Sequence, residues 1–278
     1  METLILVAIF ILGTILGSGL NALAWRVETE QTWIRGRSRC PHCRHTLAWW
    51  ELLPLLSFFL LRRRCHQCQQ PISWQYPLVE LAAGGLLLLS YTTFGFSIGS
   101  IFAALVGLLL LFIYIYDGNT LVIPNPAVWA FNLLALAVLF INLDYALVSG
   151  GEFFVLPGGW ALAAGPLVAA PLFAIWFFSR GRAMGFGDVK LALGIGWSLG
   201  ITGGLSALTY AFWIGAIVSL GLLAFQRLWK SSSLKAGEQH TIEAADSSTR
   251  LTMKSAVPFG PFLILGWLIA FFSSITLF

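Results

Sequence analysis

The sequence predicts an all-α polytopic membrane protein of about eight transmembrane helices, with a small cytoplasmic zinc-binding insertion. Three observations predict it. Of the 278 residues, 58% are hydrophobic and only 10% charged, whereas soluble domains carry about 25% charged residues. Apolar runs of about 20 residues recur along the chain, each long enough to cross about 30 Å of hydrocarbon as a helix. They lack the apolar–polar alternation of a membrane β-barrel. Finally, Lys and Arg gather in alternate loops, as a fixed membrane orientation requires.

The first run extends from Leu4 to Ala24. Glu2 precedes it with no Lys or Arg, whereas a secretory signal needs a basic leading segment. It reads as a retained first transmembrane helix, residues 1–25. A cytoplasmic zinc-binding segment follows at 26–76. Residues 77–278 form a membrane-embedded domain, with spans at 77–95, 99–116, 122–143, 157–179, 186–201, 204–226 and 257–276. The span at 186–201 is short, rich in Gly and polar at its start. Residues 230–254 are polar and rich in Ser, the composition of a flexible loop.

Arg26, Arg35, Arg37, Arg39, Arg44 and Arg62–Arg64 lie between spans one and two. Arg180, Arg182 and Lys190 surround the junction of spans five and six. Arg227, Lys230, Lys235, Arg250 and Lys254 lie around the link from span seven to eight. With eight spans these loops share one side, and the opposite loops carry no Lys or Arg. That side is the cytoplasm, which puts both termini outside. The net charge of +4 therefore records orientation, and nucleic acid is excluded as a partner. Arg62-Arg63-Arg64 suits anionic lipid headgroups instead.

All four cysteines fall in the insertion, as Cys40-Pro-His-Cys43 and Cys65-His-Gln-Cys68. Two C-x-x-C pairs at this separation have nearly the spacing of a four-thiolate zinc ribbon. Disulfides are disfavoured in a reducing cytoplasm. Arg39-Cys40-x-x-Cys43, with Leu47 and Trp49 after it, recurs 25 positions on as Arg64-Cys65-x-x-Cys68, with Ile72 and Trp74. Such an internal repeat fits two knuckles clasping one ion. His42, His45 and His66 are near enough to compete, but four thiolates already fill a structural shell. The apolar stretch from Trp49 to Phe59 is too short to span. It reads as either the core of the insertion or a helix on the membrane surface.

Most of the twelve acidic residues fall in loops, where solvation explains them. Glu80, Asp117 and Asp188 instead sit at membrane boundaries, where a carboxylate calls for a reason. Span three runs inward and span six outward. Asp117 and Asp188 therefore meet at one depth on the cytoplasmic side, although 71 positions separate them. Two carboxylates held close share a proton, so one can act as base on water while the other polarises a carbonyl. Gly185 and Gly187 precede Asp188 and permit close approach of an extended peptide. The structural alternatives are a helix cap at Asp188 and a plain turn at Asp117-Gly118-Asn119. Glu80 is a secondary candidate for binding substrate. Lys190, beside Asp188, either tunes that site or reaches for the interface.

Several motifs occur together in order: Gly17-Ser18 with Asn21, the paired cysteine motifs, Pro54-Leu55-Leu56-Ser57, and Ser73-Trp74-Gln75-Tyr76-Pro77-Leu78-Val79-Glu80-Leu81. Asp117 seven residues before Pro124, Gly185-Phe186-Gly187-Asp188-Val189-Lys190-Leu191 and Pro258-Phe259-Gly260-Pro261 follow. Over nearly its whole length the chain resembles the type IV prepilin peptidases, bifunctional leader peptidases and N-methyltransferases of the GxGD aspartyl protease type. Asn125 and Leu52-Leu53 depart from residues common in that family. The resemblance implies that Asp117 and Asp188 are the catalytic pair, in an inner-membrane enzyme that removes basic leaders from prepilins or pseudopilins. It also implies N-methylation of the new amino terminus from S-adenosylmethionine. A non-enzymatic adaptor, whose zinc module binds a partner of a pilus or secretion machine, is the alternative reading.

Overall fold

The computed structural model describes residues 2–32, 37–140, 157–235 and 258–273. It contains eight α-helices: α1 (Glu2–Glu28), α2 (Leu56–Leu60), α3 (Gln75–Phe94), α4 (Ile98–Thr120), α5 (Asn125–Leu139), α6 (Gly159–Ser179), α7 (Phe186–Lys235) and α8 (Gly260–Ser273). Among the described residues, β pairing is confined to two isolated bridges in the cysteine segment. Five helices are long and apolar enough to cross a membrane: α1, α3, α4, α6 and the part of α7 from Phe186 to Leu222. α5 and α8 are shorter and apolar. The chain is thus a multi-pass membrane protein. Of the expected flexible loop, residues 230–235 continue α7 and the remainder lies outside the described residues.

α7 is two helices in one run. Gly200 has φ 73° and ψ −175°, which no helix accommodates. A Cβ on Gly204 would lie only 3.3 Å from the Cα of Gly196. Eight residues of straight helix would separate those positions by about 12 Å, so the chain reverses at Gly200. Only Gly takes such a backbone without strain. The reversal turns spans six and seven into a hairpin, packed on α6 through Val168.

α1 packs along α3, helped by small residues, because apolar attraction between helices is weak in lipid and close backbone contact replaces it. A Cβ on Gly13 would meet the Cα of Gly84 at 2.6 Å and the Ala83 carbonyl at 2.7 Å. Much of the opposite face of α1, including Leu4, Val7, Ile11 and Ile15, is exposed and suited to lipid. The central core is made by α4, α5, α7 and α8, where Leu110, Phe131, Leu191 and Trp267 are fully buried. Trp267 donates its indole N–H to Ser198 Oγ at 2.8 Å, a partly buried polar link between α8 and the first half of α7.

The stretch between the cysteine pairs has two sides. Trp49–Leu52 form a 3₁₀ turn and Leu56–Leu60 form α2. Phe58 is buried inward, whereas Trp49, Leu56, Phe59 and Leu60 face outward. Both sequence readings of this segment are thus partly realised, as insertion core and as an apolar outer face. Residues Leu52–Leu56 line an apolar groove with Phe10, Thr14 and Ser18 of α1.

Candidate functional site

Asp117 lies in the last turn of α4, where the helix ends as Leu121 turns left-handed and donates its N–H to the Asp117 carbonyl at 2.8 Å. Asp188 is the third residue of α7. Its carboxylate accepts a hydrogen bond from the backbone N–H of Gly185, the reciprocal half of a capping box. Asp188 is thus not the N-cap, a place that Gly185 takes, but braces the helix start from its third position, and this coexists with a second relation. Both aspartates are buried, at 3% and 6% exposure, and Asp117 lies close enough for its charge to act on Asp188. The two carboxylates, 71 positions apart, meet where α4, α7 and α8 converge.

Close backbone contacts define the space around them. A Cβ on Gly260, the first residue of α8, would stand 2.5 Å from Asp117 Oδ2 and 3.2 Å from Ile123 Cδ1. A Cβ on Gly187 would lie 3.0 Å from Ile123 Cβ. Gly187 and Gly260 thus clamp Ile123 between them, on the side of the site where α4 passes to α5. Among the described residues Asp117 Oδ2 is buried without a hydrogen-bond partner, a costly state that native structures reserve for special sites. Gly185 is exposed, leaving an open approach beside Asp188.

Lys190, expected either to tune Asp188 or to reach for the interface, has partners on two helices. Its Nζ donates to Asn125 Oδ1 at 2.8 Å and lies 5.2 Å from the Phe186 ring, tying the start of α5 to the start of α7. Asn132, buried on α5, donates to the Lys190 carbonyl at 3.1 Å and reinforces the same junction. The sequence carried no signal for Asn132 beyond a polar residue in an apolar run.

The cysteines form a second centre. All four Sγ atoms lie within 4.8 Å of one another, with Cys40–Cys68 at 3.8 Å and Cys43–Cys65 at 4.0 Å. Four thiolates at about 2.3 Å around a tetrahedral ion stand about 3.8 Å apart, so the donor set can hold a metal ion. The two knuckles superpose bond for bond. Cys40 N–H donates to the His45 carbonyl and Cys65 N–H to that of Gln70, each at 2.9 Å. The Arg44 and Gln69 N–H groups return to Cys40 and Cys65, each at 3.0 Å, and both residues are left-handed at φ 58°. The 25-residue repeat is thus a structural one.

Burial pushes the Cys65 thiol up, but the N–H groups of Cys68 and Gln67 and the neighbouring sulfurs bring it down to about 7. The His45 N–H lowers the Cys43 thiol, but the same sulfurs push it up to about 12, so without an ion the cluster concentrates its negative charge on one sulfur. Of the candidate rival ligands, His45 faces Glu51 at 3.4 Å and His66 stands edge-on to Trp50 at 5.5 Å between centroids.

Glu80 is not the surface carboxylate of an ordinary helix start. It is buried at 7% exposure, and its Oε2 accepts the Leu55 N–H at 2.8 Å, with the Ser18 hydroxyl as a second partner. It therefore joins α1, α3 and the loop before α2, and holds Leu55 at a strained φ of 60°. Glu51 corrects the reading of loop acids as solvated. At 7% exposure, it accepts the Ala48 N–H at 2.7 Å through Oε2, while Oε1 has no partner among the described residues. A cavity of about 370 Å³ opens between α1, the cysteine segment and α3, with Asn21, Glu51, Glu80, Phe58, Tyr76 and Trp25 in its wall. Asn119, two residues beyond Asp117, also lines it, so the two centres adjoin.

Residues 11–94 match the family model described as the bacterial peptidase A24 N-terminal domain. The chain is similar to proteins named prepilin leader peptidase/N-methyltransferase in several bacteria. One from Bacillus subtilis (strain 168) is 34% identical over 81% of this chain and 86% of its own length. One from Burkholderia pseudomallei (strain 1026b) is 31% identical over 83% of this chain. One from Myxococcus xanthus (strain DK1622) is 50% identical over 33% of this chain. The matched region spans 65% of the Burkholderia relative and 27% of the Myxococcus one, less than two thirds of either. No solved structure matches the chain.

Proposed function

Since the chain belongs to the prepilin leader peptidase/N-methyltransferase family, we propose that it is an aspartic endopeptidase of the bacterial inner membrane. It removes the basic leader of prepilins or pseudopilins at the cytoplasmic face and then methylates the exposed amino terminus. The observation that carries this reading is the meeting of Asp117 and Asp188, both buried, at one end of the helix bundle. A purely capping role would account for Asp188 but gives Asp117 Oδ2 no reason to be buried without a partner.

In the proposed reaction the pair holds one proton between two carboxylates, with a water between them. The ionised carboxylate takes a proton from that water as its oxygen attacks the scissile carbonyl carbon. The protonated one donates to the developing oxyanion. The carboxyl that took the water's proton gives it to the leaving nitrogen as the C–N bond breaks, while a hydroxyl of the gem-diol returns its proton to the other carboxylate, which restores the shared proton. An extended substrate segment enters past the exposed Gly185, where no Cβ obstructs the approach, while Gly187 packs against Ile123. In this orientation the basic loops face the cytoplasm and both termini face outward.

The thiolate cluster is proposed to hold structural zinc, since four sulfurs leave no open position for water. Its place in the sequence joins α1 to α3, so the ion would set the wall of the neighbouring cavity. S-adenosylmethionine would supply the methyl group. The free amine of the new terminus takes the methyl carbon, the carbon–sulfur pair stays with sulfur, and nitrogen's surplus proton passes to solvent. Glu80 and Lys190 are proposed as positioning residues, the first holding the insertion on the helices and the second holding α5 against α7. Co-expression with a model prepilin, scored by gel shift and by mass of the mature amino terminus, tests both activities. Loss of the leader without a 14 Da gain (one CH₂) would sustain the peptidase and refute the methylation.

A further inference from the structure

We propose that Ile123 is a positioning residue for peptide cleavage, its δ-methyl serving as the spacer between the backbone that carries Asp188 and the backbone that confines Asp117. This rests on the two-aspartate part of the function proposed above. The spacer sits where α7 and α8 both begin. Ile123 Cδ1 lies 3.2 Å from the point where a Cβ would stand on Gly187, and 3.2 Å from the corresponding point on Gly260. One methyl therefore fills the room that both glycines leave open. Gly187 immediately precedes Asp188. The point on Gly260 is also 2.5 Å from Asp117 Oδ2, so the methyl and that carboxylate oxygen are neighbours across a single carbon position.

The turn that presents Ile123 is held along its length. Leu121 donates its N–H to the Asp117 carbonyl at 2.8 Å, and Thr120 Oγ1 accepts the Val122 N–H at 3.3 Å. Ile123 precedes Pro124, which restricts its backbone to extended conformations. Just beyond it, Lys190 Nζ reaches from α7 to Asn125 Oδ1 at 2.8 Å. A β-branched side chain is itself stiff at χ1, so the methyl is placed by rigid parts throughout. The chain leaves Asp117, turns, and returns an apolar group beside the same carboxylate six residues later.

Ordinary core packing behaves differently. Removing a methyl from a core leaves a void that neighbouring side chains partly fill. On two sides of Ile123 Cδ1 the neighbours are Gly187 and Gly260, which have no side chain to move. The space closes there only by movement of the backbone itself. Movement at Gly187 carries Asp188 with it, and movement at Gly260 changes the wall against which Asp117 Oδ2 rests.

The test is leader cleavage of a model prepilin by the purified full chain in detergent, with kcat, KM and melting temperature measured for each variant. Ile123→Val removes the δ carbon alone, whereas Ile123→Leu keeps the side chain's size and its reach to the δ position. Ile195→Val removes the same carbon from a fully buried position of α7 and serves as the packing control. The expected result is a kcat at least about tenfold lower for Ile123→Val with KM little changed, as displacement of a reacting group requires. Ile123→Leu should stay within about threefold of wild type, because volume-conserving swaps are well tolerated. Ile195→Val should keep the wild-type kcat although it melts earlier. Equal losses of kcat in Ile123→Val and Ile123→Leu overturn the spacer, because packing alone would then explain both. A raised KM at unchanged kcat in Ile123→Val also overturns it, since Ile123 would then line the substrate path. Wild-type kcat in Ile123→Val, with cleavage abolished in Asp117→Asn, overturns the spacer and leaves the two-aspartate reading standing. Cleavage that survives in Asp117→Asn overturns both.

Discussion

Replacing Gly260 with Ala should disable peptide cleavage while leaving the fold intact, and the structure sets the size of the effect. The added Cβ would lie 2.5 Å from Asp117 Oδ2, where ordinary contact begins at 3.4 Å. The carboxylate must therefore retreat by about 1 Å, a displacement that in active sites costs about 100-fold in rate. The atom that moves is the end of a side chain, so little stability is lost. Gly196→Ala supplies the contrast. Its Cβ would meet the Ala164 carbonyl at 2.5 Å and Gly165 Cα at 2.8 Å, backbone that cannot step aside. Overpacking of that kind costs about 1–3 kcal/mol, so the melting temperature should fall while any folded fraction keeps its specific activity. The assay is single-turnover leader removal from a model prepilin in detergent, alongside thermal melting of each variant. Gly260→Ala with cleavage within twofold of wild type would refute the inference that Gly260 sets the position of Asp117.

Three further outcomes are expected. Cys43→Ser should lower bound zinc from about one per chain to near none, with local loss of order in the insertion rather than in the helices. Acidification should release the ion as the thiolates are protonated, and emission spectrometry with hydrogen exchange reads both effects. Lys190→Met should break the bond to Asn125 Oδ1 and slow cleavage several-fold with KM changed less than kcat, since the junction positions Asp188 without touching substrate. Gln at Arg62, Arg63 and Arg64 should deprotect α2 to hydrogen exchange in anionic nanodiscs but not in zwitterionic ones, because those side chains are exposed beside the outward-facing Phe59 and Leu60.

Much of the architecture was legible because membrane helices are written in composition. Run length predicted helices over these segments, five of which are long and apolar enough to cross a membrane, and the placement of Lys and Arg led to the expectation that Asp117 and Asp188 share one end of the bundle. The cysteine repeat predicted two equivalent knuckles, which the paired bonds of Cys40 and Cys65 reproduce. Close approach between distant segments was not legible. Gly260 sits 143 positions after Asp117, and nothing local distinguishes it from the other 27 glycines. The doubtful span six resolved only through Gly200, whose left-handed φ ends one helix and starts the next. Glu51 was missed because a carboxylate between two cysteine pairs reads as loop. Its burial depends on the Ala48 N–H and on His45, contacts made only once the knuckles close. The partner of Glu80, a backbone N–H 25 positions away, was hidden for the same reason.

The central claim is that Asp117 and Asp188 together activate water, and substitution of each by Asn in the purified chain tests it most directly. Asn keeps the volume and the hydrogen-bonding oxygen at both positions but cannot exchange a proton. Either variant should lose leader cleavage by at least about 1,000-fold, in keeping with removal of a general acid–base group, while zinc content and melting temperature match the wild type. Cleavage that survives in either variant would contradict the two-aspartate mechanism.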